Sequence, residues 1–329
     1  MHEKSLVTGF KYDQESLNVD MKDAFEKLNW RQYIKSDTKV FVKPNFAVPF
    51  FKPGVTTNTN IIEIVLGILK DRASEVYVGE ADGGDESFTA ENSLKNHRIP
   101  EICKKTGTEM LNLSRSNRIK VTDKINGKRT EVTIPRILLR MDESISIPVL
   151  KVHVITKVSL SLKNLWGCHP SNLRLLDHKH LSERLALIAK SINLRFAVVD
   201  AIYGLNKQGP MHGDVVDVGA ILVGDNPVAT DSVASQLMGF DPQSIHHIVV
   251  ASNTGLGSYK NQDIEILADL SSFQQHFSVT PSLMDWASSL CFKSYLLNKL
   301  VSDSILTKPL YHVLGKEPRK KIIQPGDEI

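Results

Sequence analysis

Cysteine is scarce: Cys103, Cys168 and Cys291 lie far apart in 329 residues and fit no paired spacing. That argues against a disulfide framework and against an iron–sulfur cluster held by this chain alone. Neither sign of charge is in excess. Forty basic residues against thirty-seven acidic ones leave +3, too balanced to signal nucleic-acid binding, and no nucleic-acid partner is expected. Long apolar runs are missing too. No stretch reaches bilayer-spanning length, and the opening M-H-E-K-S-L-V-T-G-F lacks the apolar core of a signal peptide. The expectation is a reduced, cytoplasmic compartment with no membrane partner. H-E-x-x-H, a paired-cysteine zinc site, a P-loop, G-x-S-x-G and G-x-G-x-x-G are all absent, so the common hydrolase, kinase and dehydrogenase readings lack their signatures.

What is present suffices for an ordinary core: 41% of residues are hydrophobic and 23% charged. β-Branched runs at 38–47 and 74–79 alternate with amphipathic patterns at 19–33 and 56–71. This predicts an α/β fold, a mostly parallel sheet flanked by helices, over residues 1–270 in one or two lobes. Between 108 and 150 the period changes, and Asn126-Gly127 predicts an inserted β-hairpin. From 271 to 329 the pattern is that of an amphipathic helical extension, which packs on the core or joins copies of the chain as a homo-oligomer.

The chemistry-bearing residues gather at predicted element ends. Lys43 and Asn45 flank Pro44, which stops a strand, and the C-terminal rim of a parallel sheet is where ligands bind. The plain alternative is a solvated lysine and a turn asparagine. Glu80, Asp82 and Asp85 cluster with Gly83 and Gly84 at another strand exit, as a hard-cation site, a general base or an Asp-Gly turn. The stretch 147–170 carries His153 in an apolar run and, ten residues on, Lys163 followed by Asn164. A buried ammonium loses hydration, so such a lysine is a nucleophile or base, or is matched to an anion. Strict alternation over 157–163 allows a strand there as readily as a helix capped by Thr156.

Further on, His178 and His180 precede a helical pattern, Asp200 ends a predicted buried strand, and His212 and Gly213 lie in a loop. Asp225 is placed to cap a helix starting at Pro227, with Asp231 on that helix among small residues. A lone histidine reads equally as a satisfied core residue or a cap.

V-K-P-N-F, I-P-V-L-K-V-H with S-L-K-N-L-W-G, D-A-I-Y-G with G-P-M-H-G, and G-D-N-P-V-A-T-D-S-V-A follow one another over residues 38–250. In that order they resemble the domain of unknown function 362 family. A more distant resemblance is to the lactate racemase family, although its Asp-x-Thr-Arg-Pro motif is absent. That second resemblance implies a nucleotide-derived, metal-bearing cofactor. By it His153 is an acid/base residue, Lys163 the cofactor attachment or phosphate contact, and His178 or His180 a metal ligand. Lys43 and Asn45 then fall where phosphate binds.

The resulting expectation is an enzyme whose His153, Lys163 and Asp200 act on a small anionic substrate. Lys43, Asn45, Asn164, His212, Gly213, Asp225 and Asp231 are its ligand contacts, and Asp82, His178 and His180 hold a divalent metal. Racemase- or epimerase-like chemistry and redox or group transfer in biosynthesis both fit. So does a non-catalytic ligand-binding or electron-transfer role.

Overall fold

The computed structural model describes residues 4–84, 87–171, 174, 178 and 180–281. The chain opens with β1 (Ser5–Lys11), α1 (Leu17–Lys27), β2 (Lys39–Pro44), α2 (Thr59–Lys70) and β3 (Glu75–Glu80). α3 (Ala90–Asn96) and α4 (Ile99–Thr106) lead to β4 (Glu109–Asn112), then to the hairpin of β5 (Arg118–Ile125) and β6 (Lys128–Pro135). The central section holds β7 (Glu143–Ile147), β8 (Val149–His153), β9 (Lys157–Val158) and α5 (Leu160–Asn164). It continues as α6 (Leu181–Ser191), β10 (Leu194–Asn206) and β11 (Asp214–Gly224). α7 (Pro227–Leu237), α8 (His246–Asn253) and β12 (Ile264–Ile266) complete the described fold.

Ten of these strands form one mixed sheet, ordered β12-β1-β11-β10-β7-β2-β3-β4, with β8 pairing with β10 and β9. β10, β7, β2, β3 and β4 run parallel to one another along that path, while β11 is antiparallel to both β10 and β1. The expected α/β class is therefore present. Period-two alternation assigns the faces: Val40 and Val42 join the core under α1, α2 and α4, while Phe41 joins the core under α5 to α8. α2 shows why its segment is helical. Asn58 caps it by accepting the Asn60 N–H, and Ile61, Ile62, Val65, Leu66, Ile68 and Leu69 recur on its buried face.

The hairpin follows its turn chemistry. Asn126 and Gly127 both take positive φ, 46° and 79°, and the register joins Ile125 to Lys128. Elsewhere the structure corrects local expectations. The 19–33 pattern is shorter, ending as a helix at Lys27 with a separate turn at Trp30–Gln32. Residues 157–164 split into a two-residue strand and one short helix, whose first residue, Leu160, takes a left-handed φ of 53°. Asp200 is not a strand tip. β10 runs on to Asn206, since it pairs with β7 before Pro148 and with β8 after it. Asn226, not Asp225, caps α7 through the Val228 and Ala229 N–H groups. The predicted extension from 271 begins with a turn at Ser271–Phe273 and a bridge of Val279 to Lys207; residues 282–329 lie outside the described residues, as does Asp85.

Candidate active site

Because β2, β3 and β8 lie in one largely parallel sheet, their carboxyl ends share a rim. At it lies a cavity of about 430 Å³ lined by Lys43, Asn45, Glu80, Lys151, His153 and Lys163, with Trp166, Arg174, His178 and Met211 also on its wall. The floor is a buried ion pair. Lys43 Nζ lies 2.5 Å from Glu80 Oε2 and donates to the Pro44 carbonyl at 2.7 Å. Glu80 also accepts the Phe46 and Ala81 N–H groups. Gly167 is required beside it: a Cβ there would stand 2.7 Å from Glu80 Oε1 and 2.9 Å from Lys43 Nζ.

Above the pair, polar side chains lock one another. Asn164 donates to the Lys43 carbonyl and to Ser146 Oγ, both at 3.0 Å, and its Oδ1 accepts from Asn45 Nδ2 at 2.9 Å. Asn45 Oδ1 in turn accepts from Lys151 Nζ at 2.6 Å, and Lys151 also donates to the Val55 carbonyl. Burial lowers the Lys151 amine to about 7, with the Lys163 charge adding to the effect.

Lys163 differs. It is 9% exposed on α5, and none of the described residues offers its Nζ an acceptor. Burial brings it down to about 7, with Arg174 adding repulsion, so near neutrality it is divided between amine and ammonium. α5 is a single turn, and it is anchored from α7. The buried Asp231 carboxylate accepts the Ser161 and Leu162 N–H groups at 2.8 and 2.9 Å, while burial pushes its pKa up to about 7.

His153 ends β8. Burial and the neighbouring Lys163 hold it well below its ordinary value, so it is neutral. Its Nδ1 accepts the Ile155 N–H at 3.1 Å, which leaves the ring proton on Nε2. The ring is therefore a hydrogen-bond donor rather than a ready base. Trp166 adds a second donor: its Nε1 is buried and has no partner.

The predicted residues divide into groups. Lys43, Asn45, His153, Lys163, Asn164 and His178 meet in this cavity. Asp200 lies apart, with its carboxylate taken by the Asn58 and Ile202 N–H groups and raised by burial to about 6. Asp225 accepts from Leu6 N–H at the β1–β11 junction, and His212 and Gly213 are exposed beyond the lining loop. Asp231 supports the site from behind. Asp82 turns its carboxylate to the Ala90 N–H, and His180 faces a neighbouring cavity that His178 also lines. Asp82, His178 and His180 thus do not converge. Among the described residues no group of three or more His, Cys, Asp or Glu side chains is placed to hold a metal. Among the described residues, a metal held by protein side chains alone does not fit.

Sequence reasoning passed over Glu80 as a site residue, and missed Lys151, Trp166 and Arg174. Lys151 had a signal, a lysine inside the apolar run I-P-V-L-K-V-H, two residues before the histidine.

The family described as domain of unknown function (DUF362) matches residues 40–236, the span that contains this cavity's walls. The chain belongs to this family. The DUF362 region includes β2 through nearly all of α7, hence the ion pair, Lys163 and the Asp231 anchor. This DUF362 chain is also similar to a thylakoid-associated protein of Synechocystis, 24% identical over 268 residues, which cover 77% of this chain and 79% of the relative. Among the described residues no helix is long and apolar enough to cross a membrane.

Proposed function

We propose that the protein is an enzyme acting on a small anionic substrate, with the Lys163 amine as its reacting group. The observation that carries this is the buried Lys163 Nζ, without an acceptor among the described residues, on the wall of a cavity in which Glu80 is the one carboxylate among the described lining residues. Arg174 attracts the anion, and the N–H groups of Lys151, His153 and Trp166 supply donors for its oxygens. As a free base, Lys163 takes a proton from carbon next to a carboxylate, or condenses with a carbonyl carbon and releases water. Both belong to isomerase-like chemistry, the class implied by the lactate racemase resemblance, in which the same lysine carries a nucleotide-derived group.

The test uses the full chain with pyruvate and other small 2-oxo acids under borohydride, followed by intact-mass analysis. Substrate-dependent mass increments lost in Lys163→Met are the expected result, together with weaker anion binding by calorimetry. Unchanged anion affinity in Lys163→Met, with no adduct at Lys163 in the wild type, would sink the reading. A second, non-catalytic reading is favoured by Lys43 and Lys151, whose amines are already engaged by protein acceptors. It predicts Lys163-dependent binding without turnover. The same reading keeps the protein in the cytoplasm, while the thylakoid association of the relative directs attention to a membrane surface. Fractionation of cells expressing the full chain separates the two.

A further inference from the structure

Behind the His153–His178 wall lies a second cavity, of about 500 Å³, which the reaction above does not use. His178 and Ile155 belong to both linings. Among the described residues its own wall carries Lys128, Lys157, His180, His246 and His247 against one carboxylate, Glu183, which Lys128 already pairs at 3.0 Å.

Two helix starts open onto this space. The first residues of α6, from Leu181 to Glu183, and of α8, His246 and His247, line it, and neither helix has a side-chain cap. Uncapped N–H groups at a helix start favour negative charge. An independent observation points the same way. His247 is 1% exposed, and its Nε2 is buried with no hydrogen-bond partner, a costly arrangement unless a ligand completes it. A metal is not the fit, since no metal-holding group of side chains occurs among the described residues.

We infer that this second cavity is a separate seat for a phosphate-bearing ligand, held between the starts of α6 and α8 by His247, His246 and Lys157. Leu181 N–H is bonded to the His178 carbonyl and Glu183 N–H to its own carboxylate, so the ligand oxygens accept from the Ser182, His246 and His247 backbone N–H groups and the imidazole, and Lys157, now bonded to Ser244 Oγ at 2.9 Å, supplies the charge at the edge. The seat stands whether or not Lys163 is a reacting group, because it shares no cation with that chemistry.

Inorganic pyrophosphate titrated into the full chain at low salt, followed by ³¹P NMR and calorimetry, provides the test. The expected result is a saturable site retained in Lys163→Gln and weakened at least about tenfold in the surface double variant Lys157→Gln/His246→Gln, the size of losing charge-assisted hydrogen bonds. His247→Leu abolishes this site, and His247→Gln, which keeps a donor, restores part of it. Binding unaltered in the surface double variant, or a wild type whose only site disappears in Lys163→Gln, overturns the inference while leaving the Lys163 reading standing. An absence of any pyrophosphate binding overturns it as well.

Discussion

At the scale of single residues, the site rests on two lysines in opposite states. Lys43 is matched by Glu80 inside the protein, and a buried pair costs most when one partner is removed. Lys43→Met is expected to destabilise the fold by about 3–5 kcal/mol, read from urea unfolding, and Lys43→Met/Glu80→Leu should recover much of that. Lys163 has no such partner among the described residues. Unfolded, its amine ionises near 10.5; folded, near 7, because burial penalises the charge. Between those values the unfolded chain holds the extra proton, so the native state gains stability as pH rises through that window. Removing the amine removes this contribution. Relative to wild type, Lys163→Met should therefore be most favoured near pH 7, with its advantage shrinking towards pH 10.5 in urea titrations. A constant difference across that range would show that the amine is not desolvated.

At the scale of elements, a five-residue helix carries Lys163, and one turn cannot hold itself in place. Asp231 on α7 does that by accepting two of its N–H groups. Asp231→Ala leaves both N–H groups without acceptors, at a cost of about 1–3 kcal/mol in thermal or urea unfolding. It should also weaken anion binding although Asp231 does not line the cavity; a binding loss without it would have to arise elsewhere. Gly167 sits on the next turn of chain, against the ion pair. Gly167→Ala forces its methyl into Lys43 and Glu80, and calorimetry should show a stability loss similar in kind to overpacking, about 1–3 kcal/mol.

At the scale of the whole molecule, one sheet separates two cores and delivers its parallel strand ends to one rim. β2, β7 and β10 are interior to that sheet and largely buried, whereas the β5–β6 hairpin is a two-stranded ribbon with exposed alternate residues. Native-state hydrogen exchange should be slowest in the three interior strands and several orders of magnitude faster in the hairpin. Equal protection of both would contradict this division. The arrangement also explains why the two cavities adjoin: β8 and the chain after it form the wall between them, with Ile155 and His178 facing both ways.

Much of this could be read from the chain alone, wherever the determinant was local. β-Branched runs stopped by Pro44, the Asn126-Gly127 turn and the apolar face of α2 follow from backbone sterics and period, which act within a few residues. The same reasoning placed Lys43, Asn45, His153, Lys163 and Asn164 at element ends, where the sheet does gather them. It could not tell Glu80 from Asp82, neighbours two residues apart, because pairing with Lys43 depends on β2 and β3 lying side by side. Nor could it show that Asp200 and Asp231 spend their carboxylates on backbone N–H groups. Those bonds join residues far apart in sequence, and only packing decides whether a carboxylate meets a ligand or a helix start. The sequence determined the elements and the supply of charge; the tertiary structure decided which charges were matched, and left the amine of Lys163 without a counterpart among the described residues.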